Sequence, residues 1–244
     1  MRRLLDSTLG AAGVSRDKRA FYSQHDVADA YDQQRFGGAS GARVNAREIE
    51  IALSMLPTAA PILDLACGTG RLSQAISRRG QRVVGLDFSP PMAGKTAALG
   101  VPTVIGDGFS TPFASGAFAS VVSLRFAFHW PELDSLLREM RRVTAPGGTV
   151  VFDTYTWSPR SVAPMGARQW GGMVYRHPPR EVAELATHNG LRLDRVEPCF
   201  LFSPYLYRLA PVPIQRAFES LERHVPSSLL CRVFWKFTVE RDTA

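Results

Sequence analysis

The residues best suited to chemistry recur at regular intervals. Asp64 opens the loop Asp64-Leu65-Ala66-Cys67-Gly68-Thr69-Gly70, and Asp87 closes the next apolar run, seventeen positions after Gly70. Asp107 stands in Gly106-Asp107-Gly108-Phe109, and His129 follows a fourth apolar run. Glycines let the backbone turn sharply and approach a ligand closely. A helix beginning at such a turn offers unpaired amides to a negative group. An acid near the spacing of Asp87 accepts both hydroxyls of a ribose. An acid at the position of Asp107 accepts from an exocyclic adenine amine, while the adjacent ring of Phe109 packs the base. The set points to a nucleoside-bearing cofactor. The intrinsic pKa of histidine suits His129 to proton removal at neutral pH; the alternative is a residue that caps the following helix or packs beside Trp130. Cys67, Cys199 and Cys231 are odd in number and far apart. They match neither a disulfide framework nor a zinc pattern, which fits a reducing, cytoplasmic setting.

These residues need a scaffold that delivers each at a strand end. Residues 61–66 form a short apolar run leading into the glycine turn. Residues 71–79 put Leu72, Ala75 and Ile76 on one helical face, stopped by Gly80. Residues 82–87 read as a second strand, and Ser89-Pro90-Pro91 as a helix start with serine at the N-cap. Further strands are expected at 102–105, 118–124 and 149–153, the last after a turn at Pro146-Gly147-Gly148. Between them, residues 131–143 carry Leu133, Leu136, Leu137, Met140 and Val143 as one helical stripe. A helix at 179–188, a strand at 191–199, a helix near 213–222 and a last strand at 233–237 follow. Strands alternating with helices predict an α/β fold with a parallel sheet covered on both faces. In such sheets the ligand lies outside the carboxyl ends of the strands.

Two cofactors compete for this loop. A dinucleotide wants a small residue three positions after Gly70, where Ser73 stands, and no acid opening the loop. Asp64 lies next to where a pyrophosphate would sit and disfavours it, but is compatible with the ammonium of a methionine moiety. Charge therefore favours S-adenosylmethionine over a nicotinamide or flavin dinucleotide. Here the chain resembles class I S-adenosylmethionine-dependent methyltransferases of the ubiquinone- and menaquinone-biosynthesis-like branch. The resemblance runs in order over roughly residues 28–157. Residues 62–70 look like the first motif, Gly85-Leu86-Asp87-Phe88-Ser89 the ribose motif, and Gly106-Asp107-Gly108 the adenine segment. Residues 123–129, Glu139 to Val143 and Pro146-Gly147-Gly148 resemble the fourth strand, its helix and the turn after it. Ala66 replaces the first glycine of the loop, a mild change, and Ala119 stands where the family often has aspartate.

The resemblance implies a Rossmann-like, doubly wound, mainly parallel seven-stranded sheet with an antiparallel last strand and helices on both faces. It implies that Asp64 orients the methionine end, with Ala66, Cys67, Gly68 and Gly70 passing close to it and Cys67 acting through its backbone. Asp87 would hold the ribose, Phe88 flank the adenine and Asp107 bind its amine. Met92, Gly108, Phe109 and Leu124 complete the implied cofactor set. On the acceptor side stand His129, Trp130 and Arg125; Arg125 either binds an acidic acceptor group or pairs with a scaffold acid. Residues 28–36 resemble the family's N-terminal cover. Tyr31 and Arg35, four apart, share a helix face and either close over the cofactor or pack as an ordinary amphipathic face.

At 45% hydrophobic and 21% charged, the 244 residues exclude disorder, collagen and coiled coil. No apolar run approaches the roughly 18–20 residues of a membrane span, and no secretory leader is read at Met1-Arg2-Arg3. The net charge of +7 is spread along the chain, without a basic block, so a nucleic-acid partner is disfavoured. A helical cover over 1–57 and a catalytic domain over 58–244 are expected, with a substrate loop near 157–178 containing Trp170 and an aromatic C-terminal segment. The resulting expectation is methyl transfer to an oxygen, nitrogen or carbon of a small molecule that is aromatic, quinone-like or lipid-linked. RNA or protein methylation, or cofactor binding without catalysis, are the alternatives.

Overall fold

The computed structural model describes residues 18–162 and 174–241. Residues 18–22 are helical and lead into α1 (His25–Phe36) and α2 (Gly38–Met55). Then come β1 (Ile62–Leu65), α3 (Arg71–Arg78), β2 (Val83–Asp87), α4 (Pro90–Ala98), β3 (Thr103–Ile105) and β4 (Phe118–Ser123). A 3-10 turn at Ala127–His129 precedes α5 (Asp134–Val143), β5 (Thr144–Tyr155) and the short α6 (Pro159–Val162). The chain ends with α7 (Pro179–His188), β6 (Leu191–Cys199), the short α8 (Pro204–Tyr207), α9 (Val212–Glu222) and β7 (Arg232–Val239).

The strands form one sheet in the order β3-β2-β1-β4-β5-β7-β6. The first five pair in parallel. β7 runs antiparallel between β5 and β6, so the doubly wound sheet with an antiparallel last strand is the observed one. Successive side chains of a strand point to opposite faces, and both faces are covered. Leu63, Leu65, Val121, Val150, Phe152 and Trp235 meet Leu136, Leu137 and Met140 of α5 and Val182 of α7. Ile62, Val122, Val151 and Phe234 meet Val44, Ala52 and Met55 of α2 and Leu72 and Ile76 of α3.

Two element starts depart from the sequence reading by several residues. β5 starts at Thr144 rather than 149, because a register shift opposite Phe118 and Ser120 and the left-handed Gly147 (φ 78°) keep residues 144–148 within the sheet. The expected turn at Pro146-Gly147-Gly148 is thus an irregularity inside a strand. α5 starts at Asp134 rather than 131: Pro131 and Glu132 are exposed in a loop that brings Leu133 down into the core. Of the expected substrate loop, residues 163–173, including Trp170, lie outside the described residues. Among the described residues no helix is long and apolar enough to cross a membrane.

Candidate cofactor and acceptor site

Beyond the end of β1 the chain turns through Ala66 (φ 61°), Gly68 (φ 57°) and Gly70 (φ 81°) into α3. Gly68 has nothing within 4 Å of where a Cβ would stand. At Gly70 a Cβ would come within 2.8 Å of the Thr96 hydroxyl. The first glycine leaves room beside the loop, and the second is required for packing against α4. Ala66 adopts the left-handed conformation without being glycine, which costs on the order of 1 kcal/mol.

Asp87 joins this loop to the end of β2. One carboxylate oxygen accepts from the Gly68 amide at 2.8 Å and the other from the Ser89 amide at 2.9 Å. Burial raises the pKa of Asp87, and the two amides oppose that rise. Ser89 caps α4, its hydroxyl accepting from the Met92 amide at 3.3 Å and donating to the Tyr22 carbonyl at 2.7 Å. The helical cap thereby also ties down residues 18–22.

A cavity of about 940 Å3, its open mouth included, lies outside the carboxyl ends of the strands. Of the residues singled out from sequence, Tyr31, Ala66, Cys67, Gly68, Asp87 and Phe88 line it. Met92, Asp107, Gly108, Leu124, Arg125, His129 and Trp130 line it as well. Asp64, Gly70, Arg35 and Phe109 are not among the lining residues. Asp64 is buried beneath the loop, where it accepts from the Ser73 hydroxyl at 2.5 Å and burial pushes its pKa up to about 7. Arg35 is buried with its guanidinium 5.6 Å from the Tyr31 ring centre. Phe109 packs edge-on against Trp130 at 4.8 Å and tilted against Phe126 at 5.6 Å, because Asp107 accepts from the Phe109 amide and folds the turn inward. It therefore supports a wall of the cavity from behind. The Cys67 thiol meets the Thr96 hydroxyl at 3.5 Å, and burial raises its pKa, so it is not a nucleophile at neutral pH.

Sequence reasoning missed Lys18, Arg19, Tyr22, Thr69, Arg71 and Phe126, which also line the cavity. Lys18, Arg19 and Tyr22 precede the resembling span, and their basic and aromatic character was the one available signal. The Arg19 guanidinium lies 4.5 Å from the Phe88 ring centre and donates to Asp107 at 2.7 Å. This planar N–H donor thus lies over Phe88 and bonds Asp107, the two residues expected to flank and hold adenine. Thr69 donates to Asp32 of α1 at 2.8 Å, and Arg71 stacks on Phe36 at 3.7 Å. The cover is thereby fastened to the glycine loop.

At the other end, Lys18 donates to the His129 carbonyl at 2.5 Å and lies 3.5 Å from its Nδ1. Tyr22 stands edge-on to the imidazole at 5.8 Å. Burial, together with the charges of Lys18, Arg160, Arg35 and Arg125, holds the His129 pKa well below the ordinary histidine range. Burial and Arg160 lower the Lys18 pKa to about 7. Arg125, left-handed at φ 61°, donates its amide to Asp153 at 2.7 Å and its guanidinium to Glu48 at 2.8 Å. Arg232, fully buried, bonds both Glu48 and Asp153. This network joins α2 to β5 and β7 and fixes Arg125 at the wall of the cavity. Among the described residues no group of three His, Cys, Asp or Glu side chains could hold a metal.

Comparison with known proteins agrees with this geometry. Residues 63–152 match the family described as a methyltransferase domain. The chain is 32% identical over 162 residues to a demethylmenaquinone methyltransferase of Thermus thermophilus, spanning 62% of this chain and 69% of that protein. It is 38% identical over 140 residues to one of Streptomyces avermitilis, spanning 55% and 60%. The fold superposes on geranyl diphosphate C-methyltransferase of Streptomyces coelicolor A3(2), with a TM-score of 0.62 at 22% identity, covering 81% of this chain and 80% of that one. Fold and glycine loop together define a class I S-adenosylmethionine-dependent methyltransferase. Within that class, the chain belongs to the methyltransferase-domain family of the ubiquinone- and menaquinone-biosynthesis type.

Proposed function

We propose that this methyltransferase acts on a small aromatic acceptor bearing ring oxygens, of the quinone or hydroquinone type. The observation that carries the reading is Trp130. It lines the cavity, and its indole N–H is buried with no hydrogen-bond partner among the described residues. A buried N–H of this kind needs an acceptor atom, and a ring oxygen supplies one. Tyr22, Tyr31 and Phe126 give the same cavity the flat apolar walls that suit an aromatic ligand. The relatives named as demethylmenaquinone methyltransferases support the same class of acceptor.

S-adenosylmethionine supplies an electrophilic methyl on sulfur. In the transfer the carbon–sulfur bond breaks, a bond to the acceptor forms, the acceptor loses one proton, and a neutral thioether leaves. Little acid catalysis is needed, and alignment does most of the work. Asp87 would hold the ribose hydroxyls while retaining its backbone partners. Phe88 and Asp107 would take the adenine in place of Arg19. Residues 1–57 act as the cover over a catalytic domain of residues 58–244. His129 is uncharged at neutral pH, so it accepts a hydrogen bond from an acceptor hydroxyl, orients it and takes its proton late. The reaction runs in the cytoplasm, the setting that the cysteine usage fits.

The test incubates the protein and a cell lysate with methyl-labelled S-adenosylmethionine and separates organic-extractable, RNA and protein fractions. Label in the organic fraction is expected, and label confined to RNA or protein would refute the proposal. With the acceptor in hand, Trp130→Phe keeps the ring and removes the N–H. Its kcat/KM for that acceptor should fall about tenfold, the worth of one buried hydrogen bond, with cofactor affinity unchanged.

A further inference from the structure

Six of the eleven large apolar residues exposed among the described ones fall within residues 202–229, far along the chain from the cofactor motifs. Leu209, at 81% exposure, is the most open of them. Such a concentration marks an interaction surface more often than scattered apolar residues do.

The segment is built as one unit. α8 and α9 both pack on α2, and the Gln215 amide joins them by donating to the Tyr207 carbonyl at 2.6 Å and the Ala210 carbonyl at 3.0 Å. Phe202 packs edge-on against Phe218 at 5.3 Å. At about 100° per residue, Gln215, Glu219 and Glu222 share the inward side of α9. Ile214 and Leu221, seven apart, lie on one shoulder of its outward side, continuous with Phe218 and Phe202. Arg216 and Arg223, also seven apart and exposed, lie on the other shoulder. Between them stand Pro213, Ala217 and Ser220, all uncharged.

Charge decides what this face fits. Between residues 200 and 231 the acids are Glu219 and Glu222. Both turn inward, Glu219 to Arg43 at 3.1 Å and Glu222 to Arg47 at 3.0 Å. The outward face therefore offers leucine, isoleucine and phenylalanine together with arginine, and no carboxylate. A protein partner's acidic groove would match the arginines but not the spread of isolated aliphatics around them. An anionic bilayer matches both, because aliphatics enter the headgroup boundary while arginines meet lipid phosphates. We propose that the face formed by Phe202, α8, the turn at Leu209 and α9 docks the protein on an anionic phospholipid surface. This docking does not depend on the identity of the methyl acceptor.

Sedimentation of the full chain with vesicles tests it, using phosphatidylcholine alone against phosphatidylcholine with phosphatidylglycerol, at about 0.1 M and 0.5 M salt. The protein should sediment with the anionic vesicles at low salt, remain in solution with neutral ones and dissociate as salt rises. Leu209→Glu, at an open position that the fold does not use, should weaken partitioning about tenfold. Arg216→Gln and Arg223→Gln should each weaken it about fivefold. Circular dichroism of each variant confirms that it is folded. Wild-type protein that stays in solution with every vesicle, or variants that sediment as wild type does, would overturn the proposal. So would wild-type self-association in the ultracentrifuge that Leu209→Glu abolishes, since the face would then belong to a second copy of the chain.

Discussion

Arg19 occupies the position that the cofactor's base should take, and its removal gives the sharpest test of the site. Its guanidinium stacks on Phe88 at 4.5 Å and bonds Asp107 at 2.7 Å. Both partners of the ion pair are one-third exposed, so solvent screens it, and it is worth about 0.2–1 kcal/mol. The stacked cation adds about 0.5–1 kcal/mol. If Phe88 and Asp107 hold adenine, the cofactor must first displace Arg19, at a cost of roughly 1–2 kcal/mol. Arg19→Ala should therefore bind S-adenosylhomocysteine about five- to thirtyfold more tightly, since 1.4 kcal/mol is tenfold. Titration calorimetry at constant salt measures it. The gain should shrink in Phe88→Ala/Arg19→Ala, where both the stack and the adenine's platform are gone. Weaker binding by Arg19→Ala would show that Arg19 clamps the bound cofactor, and unchanged binding would show that the contact adds nothing; either result refutes the displacement argument.

Three further outcomes follow from the same geometry. The Asp64 pKa is about 7 when folded and near 3.9 when unfolded, so rising pH ionises the unfolded chain first and stability is lost between about pH 4 and 7. Asp64→Asn removes that loss, and denaturation should show it more stable than wild type by about 1.5 kcal/mol at pH 5 and up to about 4 kcal/mol above pH 7; a difference that does not grow with pH would contradict the assignment. Ala66→Gly relieves a left-handed alanine at φ 61° and should raise stability by about 1 kcal/mol in urea unfolding, whereas a loss would mean that the added chain entropy outweighs the strain. Glu48→Ala leaves the Arg125 and Arg232 charges buried together and should cost about 3–5 kcal/mol, read as a lower thermal midpoint; a near-neutral effect would show that the network is not holding α2 to the sheet.

The sheet, and the strand-end residues that line one side of the cavity, were legible in the sequence. Those features are local: a strand, a glycine turn and an acid at the strand end fall within a few residues of one another. The continuous apolar runs of β1 and β4, buried on both faces of the sheet, and the stripe Leu136, Leu137 and Met140 on α5 are likewise written in neighbouring positions. The tertiary structure decided what depends on distant pairs. Phe109, two positions after Asp107, had every local credential for packing a base, but Trp130 and Phe126 take its ring. Arg125 was open between acceptor and scaffold until Glu48, seventy-seven positions away, came within 2.8 Å. Lys18 and Arg19 carry no motif, and they reach the cavity because Ser89 holds the Tyr22 carbonyl and Asp107 holds Arg19. The proton affinity of His129 was decided the same way. Its intrinsic pKa is a property of the residue, but burial and four cations from separate segments, Lys18, Arg35, Arg125 and Arg160, set the value in the fold. Electrostatics and burial act through space, and no spacing along the chain encodes which charges will surround a ring.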